Sequence, residues 1–348
     1  MIKIGIICPS EIAFRRFLPA LSKHKEFEYV GVAIASKEEW FGDNEKSVSN
    51  YKKIKEVELE KAERFRENYG GEVFESYSSM LTSGRIDAVY LPLPPALHYK
   101  WATIALDEGL HVFVEKPSSC SYEQTENMIN HAKEKKLEIH ENYMFIYHSQ
   151  LEEINKVIKS GQIGEIRLIR IDFGFPMRAS GDFRYIKTLG GGALLDCGGY
   201  TFKYANYILG GDANIVCANA GYKDGYEVEI FGSATLVNSK DEVVQTSFGM
   251  DNDYRCSIEV WGSLGTLRSG RVLTAPEGFR PTYEISKNGS VQVYDLPADD
   301  AFHKSISVFY DCIVNQNKRE ENYRNIIKQE DLVEQFALKS GLRGVICG

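Results

Sequence analysis

Ile2-Lys3-Ile4-Gly5-Ile6-Ile7-Cys8-Pro9-Ser10 reads as a short buried strand running into a tight turn, and Ile12 to Leu21 then place apolar side chains at helical spacing. Strand, turn and helix in that order are the first half of a βαβ unit, and the same alternation continues downstream. Strand-like Tyr29 to Ala35 is followed by a highly charged stretch from Lys37 to about Asn68. Its later part sets Ile54, Val57, Leu59, Ala62 and Phe65 among Lys and Glu, as on an exposed amphipathic helix, and its earlier part reads as a surface insertion. Asp87 to Leu91 and His111 to Val114 are further strands, separated by helical Tyr99 to Glu108 and followed by helical Tyr122 to Lys135 and a short strand at Leu137 to His140. This predicts a Rossmann-type, doubly wound parallel sheet over residues 1–145. From Ile166 the pattern changes to strand-like runs at Ile166 to Phe173, Tyr226 to Leu236, Val243 to Phe248 and Arg255 to Trp261. They predict an α+β domain with a large, mainly antiparallel open sheet over residues 146–348, used for substrate binding and oligomerisation. An amphipathic helix at Gln329 to Lys339 is expected to pack back on the first domain.

A chain of 348 residues suits two domains, and 43% hydrophobic with 26% charged residues is an ordinary globular composition. The net charge of −8 disfavours nucleic acid as a partner. No apolar run is long enough for a membrane span, and Met1 to Ile7 lacks the features of a signal peptide, so a cytoplasmic location is expected. Seven cysteines without a CxxC pair point to reduced thiols, and neither a disulfide framework nor a metal site is expected.

A strand–turn–helix leaves free N–H groups at a positive helix end, where a pyrophosphate can bind. The usual fingerprint is GxGxxG or GxGxxA, and Cys8, Ser10 and Ala13 stand at its three small positions, so both turn glycines are missing. The candidate phosphate turn is Cys8, Pro9, Ser10, Glu11, Ile12 and Ala13, with an ordinary strand–turn–helix as the alternative. At the end of the second strand, Ser36-Lys37 replaces the acidic residue that would bind a ribose diol. A hydroxyl followed by a cation suits a 2′-phosphate, which makes NADP the expected cofactor and NAD the second choice. The other reading of Lys37 is the start of a solvated helix.

Four stretches carry a resemblance. They are Ala88-Val89-Tyr90-Leu91-Pro92-Leu93-Pro94 with His98, His111-Val112-Phe113-Val114-Glu115-Lys116-Pro117, Glu141-Asn142-Tyr143-Met144-Phe145 with His148 and Gln150, and Gly190-Gly191-Gly192-Ala193-Leu194-Leu195-Asp196-Cys197-Gly198-Gly199-Tyr200. In order and spacing they resemble the glucose–fructose oxidoreductase / inositol dehydrogenase family, Gfo/Idh/MocA. Tyr200 stands where many members carry histidine, which places the likeness nearer the tyrosine-bearing glucose–fructose oxidoreductase and dihydrodiol dehydrogenase branch. The resemblance implies an NAD(P)-dependent oxidoreductase that moves a hydride between nicotinamide and a carbinol or keto carbon of a sugar, polyol or nucleotide-linked sugar. It implies that Leu91, Pro92, Leu93, Pro94, His98, Glu115 and Lys116 lie beside the cofactor. Tyr143, Arg184, Asp196, Lys116 and Tyr200 are the substrate candidates, and Pro117 is expected to close a cis peptide.

Hydride transfer to or from a carbinol carbon needs a group that takes or returns the hydroxyl proton. Lys116 and Tyr200 are the candidates: an ammonium beside a phenol stabilises the phenolate, so the pair can share one proton at a useful pKa. Asp196, four residues before Tyr200, shares its helix face and is assigned to a substrate hydroxyl or to orienting Lys116. The triple glycine Gly190 to Gly192 is read as letting backbone approach a ligand. Packing is the other reading of Tyr200, a satisfied buried carboxylate that of Asp196, and a salt bridge that of Arg184. His98 and His148 read as structural. An open sheet needs a cover, so a homodimer or homotetramer through the second-domain sheet is expected, on the premise that this face is broad and apolar. The alternatives are a non-catalytic dinucleotide-sensing regulator of the same fold, or a dihydrodiol dehydrogenase-like or biliverdin reductase-like enzyme.

Overall fold

The computed structural model describes residues 1–42, 51–179 and 181–342. Residues 43–50, where the expected surface insertion falls, and Cys347 lie outside them. The chain divides into two compact units, the first made of Met1–Ser118, Glu126–Asn142 and Ser305–Tyr323, the second of Ser119–Thr125, Tyr143–Lys304 and Arg324–Gly348.

In the first unit the strands β1 (Ile2–Ile7), β2 (Phe27–Ala33), β3 (Glu72–Phe74), β4 (Ala88–Leu91), β5 (His111–Val114) and β6 (Ile139–Glu141) form one sheet in the order β3-β2-β1-β4-β5-β6, with every neighbouring pair parallel. Ile4, Ile6, Val89, Tyr90, Val112 and Phe113 are wholly buried, as strands covered on both faces require. This is the doubly wound architecture, and the order reverses between β1 and β4, where such folds bind ligands outside the carboxyl ends of the strands. The second strand ends at Ala33, not Ala35, because Ser36 is already the cap of a helix at Lys37–Phe41. The segment read as a helix from Ile12 contains a π turn at Ala13–Phe17 before regular helix at Leu18–Leu21.

The second unit carries β7 (Ile166–Gly174), β8 (Asn214–Tyr222), β9 (Glu229–Val237), β10 (Val243–Gly249), β11 (Arg255–Gly262), β12 (Thr266–Gly270), β13 (Thr282–Lys287) and β14 (Ser290–Asp295). Their order is β14-β13-β12-β11-β7-β10-β9-β8, and only the β7–β10 pair is parallel. One face is the core: Ile169, Ile171 and Phe173 alternate inward, and Phe248 meets Phe202 of the helix Gly199–Ile208 and Phe336 of the helix Gln316–Ser340 at ring-centroid distances of 5.8 and 5.3 Å. The other face is not the apolar surface expected. Arg170, Asp172, Arg255, Glu259 and Arg268 alternate in sign across β7, β11 and β12, with ion pairs such as Arg268–Glu259 at 2.6 Å and Arg255–Asp172 at 3.2 Å. Exposed large apolar side chains of the sheet are scattered: Val216 and Tyr222 on β8, Phe231 on β9, Trp261 on β11, and Val291 and Val293 on β14 are 52%, 56%, 46%, 56%, 60% and 61% exposed.

The late chain serves both units. Residues 305–323 belong to the first, whereas the amphipathic stretch Gln329 to Lys339 belongs to the second, where Phe336 packs on Phe202 and the Gln329 side chain donates to the Gly199 carbonyl at 2.9 Å. Cys8, Cys197, Cys217, Cys256 and Cys312 are free, and Cys120 is disulfide-bonded, a departure from the expectation of reduced thiols throughout.

Phe309 is fully buried in the first unit, with its ring 5.2 Å from Phe113, 5.9 Å from His140 and 6.0 Å from Phe27. Phe309→Ala should therefore cost about 3–5 kcal/mol, as large-to-small core changes do. Chemical denaturation followed through the first unit should show an earlier midpoint; an unchanged curve would mean that the helix Ala301–Val314, which carries Phe309, is an appendage.

Candidate active site

The candidate phosphate turn is held by bonds to β2 and within itself. The Cys8 amide donates to the Ala33 carbonyl at 3.0 Å, Ser10 Oγ accepts from the Ala13 amide at 3.2 Å, and the Phe14 amide donates to the Ser10 carbonyl at 3.1 Å. Ser10 is thus an N-cap, and the amides of Glu11 and Ile12, at the first two helical positions, have no intrahelical acceptor to find. They are the donors that a pyrophosphate would meet at the positive helix end. Cys8 has φ of +80°, so the turn keeps the backbone that the fingerprint's first glycine supplies while a side chain occupies it. Burial pushes the Cys8 thiol up to about 12, with Glu58 adding to the effect. Ala13 is fully buried, consistent with a small residue where helix meets strand.

Ser36 closes a capping box: its Oγ accepts from the Glu39 amide at 3.2 Å, and Glu39 accepts from the Ser36 amide at 2.8 Å. Glu39 also accepts from the amides of Tyr77 and Ser78 at 3.0 and 2.8 Å, tying the start of the helix Tyr77–Leu81 to the end of β2. Lys37 is the first residue of the capped helix.

After β4, Leu91-Pro92-Leu93 is buried and Pro94 caps the helix Pro95–Asp107. His98, fully buried, has Nε2 2.8 Å from the Leu93 carbonyl and Nδ1 2.8 Å from the Pro117 carbonyl, so it ties the loop after β4 to the loop after β5. Burial lowers its pKa to about 4 against the pull of the two carbonyls, and the neutral ring, with a single N–H, donates to one of them and only abuts the other. Lys116 stands in the loop after β5, followed by the cis peptide to Pro117.

Glu115 next to it accepts from Tyr90 Oη at 2.6 Å and from Asn142 Nδ2 at 2.7 Å. Asn142 Oδ1 in turn accepts from Ser305 Oγ at 2.9 Å, and Ser305 Oγ lies 2.9 Å from His140 Nε2. Because the Ser305 hydroxyl gives its one proton to Asn142, His140 must donate, and the whole chain of donors runs toward the Glu115 carboxylate. Desolvation pushes that carboxyl upward, opposed by these bonds and by the Lys116 charge. Asn142 lay within a quoted motif without a role, and nothing in the sequence pointed to Ser305.

The substrate candidates of the second unit share one neighbourhood. Tyr200, at the start of the helix Gly199–Ile208, is half-buried among Tyr143, Phe145 and Phe173, at ring-centroid distances of 5.2, 5.4 and 5.2 Å. Asp196 sits in a π turn at Leu194–Gly198 and accepts from Arg184 Nε at 2.8 Å, while Arg184 Nη1 contacts Asp182 at 3.1 Å. Arg184 is therefore already paired by two carboxylates, the salt-bridge alternative, and those charges outweigh desolvation in keeping its guanidinium protonated. The triple glycine packs internally. A Cβ on Gly191 would meet the Arg184 carbonyl at 2.5 Å, and one on Gly192 would meet Glu229 Oε1 at 2.5 Å. His148 caps its own helix, accepting from the Gln150 amide at 3.2 Å. Glu229, to which no sequence signal pointed, accepts from the Leu194 amide at 2.8 Å.

Two family descriptions match the chain: an oxidoreductase family with an NAD-binding Rossmann fold over residues 3–143, and the GFO/IDH/MocA C-terminal domain over residues 151–268. The chain belongs to the Gfo/Idh/MocA family. Among its relatives, the dTDP-3,4-didehydro-2,6-dideoxy-alpha-D-glucose 3-reductase of Actinomadura kijaniata is 35% identical over 99% of this chain and 96% of its own length. The enzyme of the same name from Saccharopolyspora spinosa is 32% identical over 88% and 86%. Among solved structures, KijD10, a 3-ketoreductase from Actinomadura kijaniata in complex with NADP and TDP-benzene, superimposes with a TM-score of 0.85 at 35% identity, covering 96% of each chain. As a Gfo/Idh/MocA protein the chain is a nicotinamide-dependent oxidoreductase that moves a hydride to or from a carbon bearing oxygen, on a sugar or a molecule carrying one. No helix among the described residues is long and apolar enough to cross a membrane, and no three His, Cys, Asp or Glu side chains among them group as a metal site.

Proposed function

We propose that this Gfo/Idh/MocA protein is an NADPH-dependent reductase acting on the C3 carbonyl of a dTDP-linked keto-deoxysugar. The observation that carries the reading is the end-to-end likeness to dTDP-3,4-didehydro-2,6-dideoxy-alpha-D-glucose 3-reductases, at 35% identity over 99% of this chain. A nucleotide-linked substrate calls for aromatic and cationic side chains, and loops of the second unit supply them. Tyr185 and Tyr226 lie 5.2 Å apart, and the Arg178 guanidinium rests 5.1 Å from the Phe175 ring. Arg178 and Lys187 form no ion pair among the described residues, which leaves them for a diphosphate, while the rings suit a base.

The residues after β1 fit a dinucleotide, since among the described residues nothing accepts from the amides of Glu11 and Ile12, at a helix start beside a glycine-like turn. The dihydronicotinamide of the bound cofactor supplies the hydride. Ser36 and Lys37 would hold the 2′-phosphate. That displaces the bond by which Ser36 Oγ donates to Glu38 at 3.1 Å. Tyr200 Oη gives a proton to the sugar oxygen as it gains charge, and the Lys116 ammonium stabilises the phenolate left behind. Asp196, oriented by Arg184, holds a sugar hydroxyl. Forms of KijD10 with a lysine changed to alanine or glutamate, or a tyrosine changed to phenylalanine, have been crystallised with NADP and TDP-benzene, and those two positions have the same spacing along that chain as Lys116 and Tyr200. A homodimer or homotetramer through the solvent face of the second sheet completes the reading, with Trp261, Val291 and Val293 as the apolar contacts.

Nicotinamide absorbance during incubation with NADPH and a dTDP-linked 3-keto-deoxysugar tests the activity directly; turnover of unlinked sugars alone would sink the substrate assignment. Lys116→Ala and Tyr200→Phe should each lose on the order of 10²- to 10⁴-fold in kcat with dinucleotide binding kept. Full activity in Lys116→Ala would end its catalytic role. Tighter binding of NADPH than NADH is expected, reversed in Lys37→Asp, and equal dissociation constants in the unmodified protein would refute the phosphate site. Light scattering at micromolar concentration should give a multiple of the 39.4 kDa chain mass, and a monomer would count against the interface.

A further inference from the structure

We infer that Glu229 is a positioning residue: its carboxylate anchors the Leu194 amide to β9 and thereby sets the rotation of the segment that carries Asp196 and Tyr200. The inference rests on the reading above, in which those two side chains act on the substrate.

The geometry is built around this one group. Glu229 is 6% exposed, and its Oε1 accepts from the Leu194 amide at 2.8 Å. Leu194 opens the π turn Leu194–Gly198, which runs without a break into the helix Gly199–Ile208. Its amide is one of the donors that a helix start leaves unmet, so a carboxylate there is stabilised both as an acceptor and by the positive helix end. The chain gives up a side chain to admit it. Gly192 has φ of +125°, and a Cβ at that position would sit 2.5 Å from Oε1 and 2.9 Å from Oε2. One bond upstream, the Asp196 amide donates to the Gly192 carbonyl at 3.1 Å, so glycine, carboxylate and Asp196 form one connected unit. From there Asp196 lies two residues beyond the anchored amide and Tyr200 six, within reach of any change in the start of the turn.

A nonpolar residue would have packed under this turn without a desolvation cost, so a carboxylate needs a reason beyond packing. Burial raises the Glu229 carboxyl to about 7, opposed by the amides of Leu194 and Glu229 and by the positive charge of Lys187. Across the β8–β9 pair stands Tyr222, whose own hydroxyl is pushed upward in part by Glu229. The sign for stability follows from linkage. Because the folded carboxyl binds its proton more tightly than the unfolded one near 4.5, the fold loses stability as pH rises through the interval up to about 7. The ionised anchor therefore works against stability at neutral pH while holding the helix start more firmly.

Glu229→Gln separates the two effects, since the amide keeps shape and acceptor but cannot ionise. Above neutral pH this variant should keep or raise the thermal midpoint and lose about ten-fold in kcat/KM, the cost of a charge-assisted bond; the acid limb near pH 7 expected of the unmodified protein should be absent from it. Amide exchange over 193–198, read by mass spectrometry at matched pH, should be faster in Glu229→Gln and faster still in Glu229→Ala. A pH profile unchanged by Glu229→Gln, or equal exchange rates in all three proteins, would overturn the inference. If the unmodified protein fails to reduce any dTDP-linked keto sugar, the substrate reading falls, while exchange and the pH dependence of the midpoint still decide whether Glu229 is the anchor.

Discussion

A carboxylate drawn out of water must be met by donors, and in each unit that requirement pins the backbone beside a candidate catalytic side chain. In the first unit Glu115 collects the Tyr90 hydroxyl and the Asn142 amide, which is itself held through Ser305. These donors come from β4, from the residue after β6 and from the helix Ala301–Val314. Lys116 follows Glu115 in sequence, so the ends of several elements must be in register before the lysine has a defined place. In the second unit Glu229 does the same for the turn that leads to Tyr200. Replacing either carboxylate by an apolar residue would spare desolvation and release the adjoining segment.

The same logic explains why the late chain is shared between the units. A parallel sheet must be covered on both faces, and Phe309, with Ser305 one helical turn before it, completes the cover over Phe113 and His140. Farther on, Tyr323 donates to the Leu137 carbonyl and Asn322 Nδ2 to Glu138 at 2.6 Å, closing the edge at β6. Only after these residues does the helix enter the second unit, where Phe336 fills the space that glycine at 232 leaves beside Phe248.

What could be read in the sequence follows from the range of the forces involved. β4 and β5 were legible because buried strands are apolar runs, β10 because its side chains alternate, and the helix Tyr122–Lys135 because its period is local. β3 has only three residues, and β13 and β14 alternate weakly because both faces of that edge are partly exposed, so neither leaves a period to detect. Tyr226 was drawn into β9 by its neighbours' β-propensity, yet its amide closes a turn onto Lys223. Lys116, Asp196 and Tyr200 could be named from short motifs. Their supports could not: Ser305 lies 163 residues from Asn142, and Glu229 lies 35 from Leu194. Such pairs are made by topology, and a single sequence carries no local trace of them. The glycine triplet shows the converse error, a motif read as open to ligand whose second and third residues are small because a carbonyl and a carboxylate already stand where their side chains would be.

Both helices that begin at a candidate site start with a π turn, Ala13–Phe17 after the phosphate turn and Leu194–Gly198 before Tyr200. A π turn holds one residue more than an α turn, at the expense of hydrogen-bond geometry, and it needs an external hold to persist. In the first case the Ser10 cap and the buried Ala13 provide it; in the second the Glu229 carboxylate grips the turn at its first amide. The extra residue has a geometric effect: each residue advances a helix by about 100°, so a turn with one more than the regular number rotates everything after it relative to everything before. Tyr200 comes after the π turn, and the anchored Leu194 is its first residue. The face on which the phenol emerges is therefore set jointly by the anchor and by the wider turn, and neither the i, i+4 spacing of Asp196 and Tyr200 nor the tyrosine's identity would suffice to define it.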